Sequence, residues 1–446
     1  MELLLSGYAA TENESSNVVA HNLHTGTSFR TFRQSTPFPQ AACSTKTHLL
    51  SFQRRRPQLN VHGFGKENLD QTIILPETII SSAVSPCDSW LVGGTEKGSL
   101  YIWSVLSGAL IHAFRAHYQP LTHVSISNDG MLVYTASNDG DINIWLMSSL
   151  ADRSNMAGVT GGSAIKPFQS LSGHKRAIVS LINGPGPSIS SRLYTASEDS
   201  TVRVWDVSTG NLLTTVALNS MPSCMTIDPA ERIIYVGNEK GLVWIPLYTS
   251  STALSENNSN VSKNTTIPSS VPSAIGGLGR VVDVNESKDA HTVTSTSPIT
   301  TITLSFDASL IITGDKDGVV LVWDVVSRQV LRRLIQYSSP VTFLKCLIDK
   351  VNYIPTAQSV FPVLKRMITD DYLYSDVNMM IHDDGIEELM QAPDTLCLSS
   401  ELMTHNTESG WRAKAESTEM ELKETRRLFI ELRGVHQALW EKYLQK

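Results

Sequence analysis

The stretch TASEDSTVRVWDVSTG, residues 195–210, decides the fold. Small residues lead into an acidic turn at Glu198-Asp199-Ser200. An alternating run, Thr201-Val-Arg-Val, follows and ends on Trp205. Apolar and polar residues alternating over four to eight positions describe a strand with one face buried, and the turn before it makes a hairpin.

The same pattern returns three times. VGGTEKGSLYIWSVLSG ends at Gly108, TASNDGDINIWLMSS contains Trp145, and TGDKDGVVLVWDVVS contains Trp323. From Trp103 through Trp145 and Trp205 to Trp323 the steps are about 42, 60 and 118 residues, against a WD-repeat period of ~40–45. The longer steps have visible causes. A Gly/Ser-rich insertion follows Trp145. A degenerate repeat, IIYVGNEKGLVWIPLY, and a Ser/Thr/Asn-rich tract, residues 249–297, separate Trp205 from Trp323. That tract has few large apolar side chains to offset its ordering entropy and is expected to be a disordered loop.

Two more repeats precede Trp103: ELLLSGYAA with NVVAHNLHTG, and HLLSFQRRR with QLNVHGFG. The first lacks an innermost strand, and PVTFLKCLID, residues 340–349, is the candidate replacement. The expected fold is all-β, a seven-bladed WD-repeat β-propeller over residues 1–349, closed by pairing its two ends in one blade. Closure removes the free sheet edge that invites aggregation. Residues 350–409 read as an extended segment, and residues 410–446 as an amphipathic, coiled-coil-like helix.

Two repeats carry a full polar set: His117, Ser137, Asp139 and Trp145, then His174, Ser197, Asp199 and Trp205. Such residue types also make hydrolase triads. Their recurrence at the same offsets in successive repeats argues for a structural network instead. In the WD-repeat family the Asp accepts from the His, the His meets Ser or Thr, and the Ser meets the Trp ring nitrogen. The blade of Trp323 keeps Asp317 without the His, and the blade of Trp103 has Lys97 in the Asp place, so both are expected to be less rigid. The degenerate repeat places Pro246 in the Trp position.

Other chemistry is not supported. GVTGGSAIKPF lacks the Gly-Lys-Ser/Thr ending of a phosphate loop. Asp370, Asp371, His382, Asp383 and Asp384 have no metal-motif spacing and read as an acidic surface. No catalytic, cofactor or metal residues are assigned. Five dispersed cysteines at 43, 87, 224, 346 and 397 fit reduced thiols, so the sequons at Asn257, Asn260 and Asn264 are read as unglycosylated. A formal charge of −7 disfavours general nucleic-acid affinity, and Arg54-Arg55-Arg56 reads as a solvated loop. No stretch approaches the ~18 apolar residues of a membrane span, and MELLL is too short for a signal peptide.

From Trp411 the composition turns to charged helix formers. Leu422, Thr425, Phe429, Leu432, His436, Leu439 and Tyr443 follow steps of three and four. Leu422, Phe429, Leu432, Leu439 and Tyr443 are the expected interface, with a second copy or a scaffold subunit across it.

NLHTG (22–26), FRAHYQ (114–119) and TASEDSTVRVWDVSTGNLL (195–213), with the order of blades, inserts and terminal helix, carry a more specific resemblance. The chain resembles the WD-repeat subunit of the Rix-type complex, an assembly factor of the large ribosomal subunit. The resemblance spans nearly the whole chain. It implies a non-catalytic scaffold in nucleolus and nucleoplasm, bound to a helical-repeat scaffold subunit and a third subunit. It also implies action on pre-60S particles, removal of the second internal transcribed spacer, and recruitment of a Midasin-type AAA ATPase. Two other classes fit the sequence less well. A phosphoinositide-binding propeller needs Phe/Leu-Arg-Arg-Gly between later blades, where this chain has Arg-Arg-Arg-Pro in an early one. A ubiquitin-ligase substrate receptor normally adds an F-box or adaptor motif, which the sequence lacks.

Overall fold

The alternation around Trp205 becomes a hairpin in the computed structural model. Arg192–Ser197 pairs antiparallel with Thr201–Asp206, and Leu193, Val202, Val204 and Trp205 are buried. Each hairpin of this kind lies inside a meander of short strands, with the acidic turn at one end. The turn places one residue in the left-handed region: Gly98, Gly140, Ser200 and Gly318 have φ of 83°, 84°, 61° and 81°. Glycine suits three of these turns for a second reason. A Cβ on Gly98 would lie 2.2 Å from the His117 carbonyl, and one on Gly140 would lie 2.7 Å from that of His174. The turn of one blade is thus a seat for the backbone that enters the next.

The structure describes residues 2–8, 17–33, 35, 37–53, 56–151, 165–188, 190–249, 273–274, 279–283, 291–295, 297–348 and 361–367. Chain contacts divide it into two compact units, Met1–Ser375 and Asp376–Lys446, and all the described residues belong to the first.

Seven separate four-stranded blades, the expectation from the repeats, are not what the hydrogen bonds form. Five sheets of four or five strands stand separately, beside one eight-stranded sheet and a two-stranded ribbon. The eight-stranded sheet arises because Pro37–Ser44 and Ile79–Val84 join in parallel at Gln40↔Ser81, fusing two four-strand meanders into one ladder. The expected C-terminal helix, with Leu422, Phe429, Leu432, Leu439 and Tyr443, lies outside the described residues. Among those described, the one α-helix is the five-residue Met147–Ala151.

The two ends of the array do meet in one sheet. Val341–Ile348 pairs antiparallel with Glu2–Tyr8, from Glu2↔Ile348 to Tyr8↔Val341, so the inner edge of Glu2–Tyr8 is not left open. Leu4, Leu5, Val341 and Phe343 are buried across this seam.

Two described pieces of the tract 249–297 are strands that join blades. Arg280–Asp283 adds a parallel fifth strand to Leu212–Ala217, and His291–Thr294 is the outer strand on Gly241–Pro246. Val281, Val282 and Val293 give these short pieces their strand propensity.

Candidate functional site

The two complete polar sets are assembled as hydrogen-bonded chains. His174 Nδ1 lies 3.0 Å from Asp199 Oδ2, His174 Nε2 lies 2.8 Å from Thr195 Oγ1, and the Trp205 indole N–H donates to that same oxygen at 3.0 Å. In the neighbouring set His117 meets Asp139 at 3.4 Å and Thr135 at 2.9 Å, and Trp145 donates to Thr135 at 3.0 Å. The hydroxyl joining His to Trp is therefore Thr135 or Thr195, not Ser137 or Ser197. Ser197 instead donates to the Arg176 carbonyl at 3.1 Å and accepts from the Asp199 amide at 3.2 Å; Ser137 accepts from the Asp139 amide at 3.4 Å.

Electrostatics support a static arrangement. Burial pushes His117 below the usual imidazole range, against the pull of Asp139. Burial would raise the Asp199 carboxyl, but hydrogen bonds from His174, Thr201 and the Lys175 amide together hold it well below the carboxylate range. The Thr hydroxyls are fully buried and engaged by Trp, so no free nucleophile faces either His. Burial also pushes Cys43 up to about 11, and Cys224 and Cys346 up to about 12, which keeps these thiols protonated and unreactive. Among the described residues no group of His, Cys, Asp and Glu is placed to hold a metal ion.

The incomplete blades solve the same problem with other atoms. Trp323 donates to Thr313 at 2.9 Å, while Ser297, in the absence of a His, donates to the buried Asp315 at 3.0 Å. Burial pushes the Asp315 carboxyl up to about 6 despite that bond. In the ring-closing sheet a tyrosine stands where the two complete sets have His. The Tyr337 carbonyl sits over Gly318, and its hydroxyl lies 2.6 Å from Ser6 Oγ and 2.9 Å from His21 Nε2. Residue type gave no hint of this substitution; the preceding Gly318 turn is the signal that could have located it. The degenerate repeat also needs a correction. Leu193 pairs Trp205 and Ile234 pairs Ile245, so Ile245 holds the Trp position and Pro246 the one after it. Trp244 lies on the opposite face, edge-on to Trp323 with centroids 6.3 Å apart.

Trp103 has the least expected partner. The position matching Thr135 is Gly93, and a Cβ there would lie 3.2 Å from the indole. The fully buried indole N–H donates instead to the carbonyl of Lys365 at 3.0 Å. Residues 361–367 form a strap here. Phe361 and Leu364 are buried in the core of the eight-stranded sheet, the Lys365 amide donates to Gly108 at 2.7 Å, and Arg366 donates to Ile74 at 3.0 Å. Residues 361–367, part of the segment read as extended, are thus a docked strap, while Asp370, Asp371, His382, Asp383 and Asp384 lie outside the described residues. In FRAHYQ, the Arg115 guanidinium lies 5.2 Å from the Tyr118 ring centroid and donates to the carbonyls of His117 and Tyr118, leaving the ring exposed.

Each set is a chain of hydrogen bonds inside one blade, and sequence comparison places both complete sets in recognised repeats. Residues 108–145, 165–206 and 287–324 match the model of the WD domain, G-beta repeat. The chain is 62% identical to the pre-rRNA-processing protein crb3/ipi3 of Schizosaccharomyces pombe, over 100% of each chain. It is 29% identical to the pre-rRNA-processing protein IPI3 of Yarrowia lipolytica, over 98% of this chain and 96% of the other. WD repeat-containing protein 18 of Danio rerio is 25% identical over 77% of this chain and 72% of its own. With full-length identity at that level and the repeat networks in place, the chain belongs to the Crb3/Ipi3 family of WD-repeat pre-rRNA-processing proteins.

Proposed function

We propose that this protein is a non-catalytic scaffold subunit of a nuclear complex that matures the pre-60S particle, in nucleolus and nucleoplasm. On this reading it joins a helical-repeat scaffold subunit and a third subunit, promotes removal of the second internal transcribed spacer, and helps recruit a Midasin-type AAA ATPase. The observation that carries the reading is the full-length identity to a pre-rRNA-processing protein. The site geometry supports the non-catalytic part, because each His, Thr and Asp of the repeated sets is committed to bonds inside its own blade. A buried, fully satisfied network specifies shape and leaves no group to turn over a substrate.

The test is depletion of the protein in its own cells, with precursor RNAs resolved by hybridisation to the second spacer. Spacer-containing precursors should accumulate while small-subunit precursors stay unchanged. Tagged full-length protein should bring down large-subunit precursors, a helical-repeat subunit and an AAA ATPase of Midasin type. Normal spacer processing in depleted cells would overturn the proposal.

A further inference from the structure

Outer strands are where a propeller leaves backbone groups unpaired, and this chain reaches over two of them itself. Leu212–Ala217 receives the parallel strand Arg280–Asp283, in register from Thr214↔Arg280 to Ala217↔Asp283. The Gln71–Ile74 edge receives Arg366 on the Ile74 carbonyl. Val330–Gln336 stays open, as do Ser28–Phe32, Leu110–Arg115, Gln169–Leu171 and His291–Thr294 among the described residues. Among the described residues Val330–Gln336 pairs only with Val319–Asp324, and its other edge meets no strand.

Its side chains, not its edge, mark it out. Val330, Leu331, Arg332 and Arg333 are all exposed in succession, Leu331 at 60%, and Val326 in the preceding turn is exposed at 87%. Arg328, Arg332 and Arg333 form no ion pair among the described residues. Arg332 donates to the His24 carbonyl and Arg333 to the Gln336 side chain, so neither guanidinium is bonded to a carboxylate among the described residues. Edge strands are usually blunted by charge, but blunting is not combined with exposed Val and Leu at neighbouring positions.

We infer that Val330–Gln336 is a docking edge for a partner protein, which adds an extended segment carrying carboxylates between apolar residues as a further strand. Main-chain bonds supply attachment, Val330 and Leu331 supply apolar contact, and the three arginines select acidic sequence. A second copy of this chain does not fit, because two such edges would set arginine against arginine. RNA fits less well than a peptide, because the strand has no aromatic ring on which a base could stack. The fifth strand on Leu212–Ala217 shows that an outer edge of this propeller accepts an added strand without disturbing its meander. The inference concerns a surface and does not depend on the ribosomal reading above.

The test uses the full chain and three probes: a nine-residue peptide alternating Val and Glu, the same peptide with Lys for Glu, and a uridine 12-mer. Anisotropy should show the Glu peptide binding at least tenfold more tightly than the Lys peptide. R332E/R333E should reverse that preference, and Leu331→Ser should weaken both peptides without changing their order. Amide exchange at residues 330–336 should slow when the Glu peptide binds. Equal binding of the two peptides, or binding unchanged in both variants, would overturn the inference. So would uridine 12-mer binding with which the peptide does not compete, or residues 330–336 already protected in the free protein, which would mean that the chain covers this edge itself.

Discussion

The Tyr337 hydroxyl lies 2.6 Å from Ser6 Oγ, a bond between residues 331 positions apart at the seam where the array closes. The same hydroxyl reaches His21, and the Tyr337 ring stacks on Tyr8 with centroids 4.6 Å apart. Tyr337→Phe keeps the stacking and leaves Ser6 and His21 short of a partner. A loss of about 1–3 kcal/mol in denaturant unfolding is expected, with faster amide exchange in Glu2–Tyr8 than in Arg192–Ser197. Unchanged stability would show that the phenol does not hold the seam.

Thr195→Val should cost more than Ser197→Ala. Valine has nearly the same shape but strands both His174 and Trp205 inside the core, at ~1–3 kcal/mol. Ser197 touches only backbone groups at the turn. Combined with His174→Ala, the Thr195→Val loss should be less than additive, because both act on one chain of bonds. The reverse ranking of the two hydroxyl variants would return the linking role to Ser197.

Asp315 makes a pH prediction with a definite sign. Its carboxyl is raised to about 6 by burial, from an ordinary value of 3.8, so the folded state holds a proton that the unfolded state has already released. Its contribution is therefore fully present below pH 3.8 and is lost as the pH rises to about 6, after which it is level. Asp315→Asn removes that loss. The variant should gain stability relative to wild type between pH 4 and 7, by up to roughly 3 kcal/mol, in melting curves taken across this range. A difference that stays constant over the range would show that Asp315 titrates normally.

Gly108 has φ of 68°, and a Cβ on it would lie 2.3 Å from the Val363 carbonyl. Gly108→Ala should therefore lift the 361–367 strap while leaving the hairpins intact. Trypsin should then cut after Lys365 and Arg366 sooner than in wild type. Trp103→Phe should speed the same cleavage by removing the bond to Lys365. Equal cleavage rates in all three proteins would mean that neither contact holds the strap.

The sequence made the hairpins legible because their signal is local: a small-residue lead, an acidic turn and a β-branched run ending on Trp. The pairing of Val341–Ile348 with the first strand was also legible, since a first meander without an inner strand needs one. What stayed hidden depends on geometry across the chain. Thr195 and Ser197 point to the same face of one strand, so residue type alone could not say which hydroxyl meets the indole. Tyr337 replaces His with a longer reach, and Lys365 serves Trp103 from 262 residues away, through a carbonyl that every residue possesses. The fusion at Gln40↔Ser81 is a main-chain event with no side-chain signature.

The seam also sets an order of events during synthesis. Glu2–Tyr8 emerges before the other described strands, and its inner neighbour Val341–Ile348 is the last of them to be made. At ~5–20 residues per second the ribosome takes roughly 20–70 s to bridge that interval. Through it the apolar edge of Leu3, Leu4 and Leu5 has no native strand to meet. A nascent chain of this protein therefore carries a sticky N-terminal edge for most of its own translation, and whatever shields that edge must let go at the moment the last strand arrives.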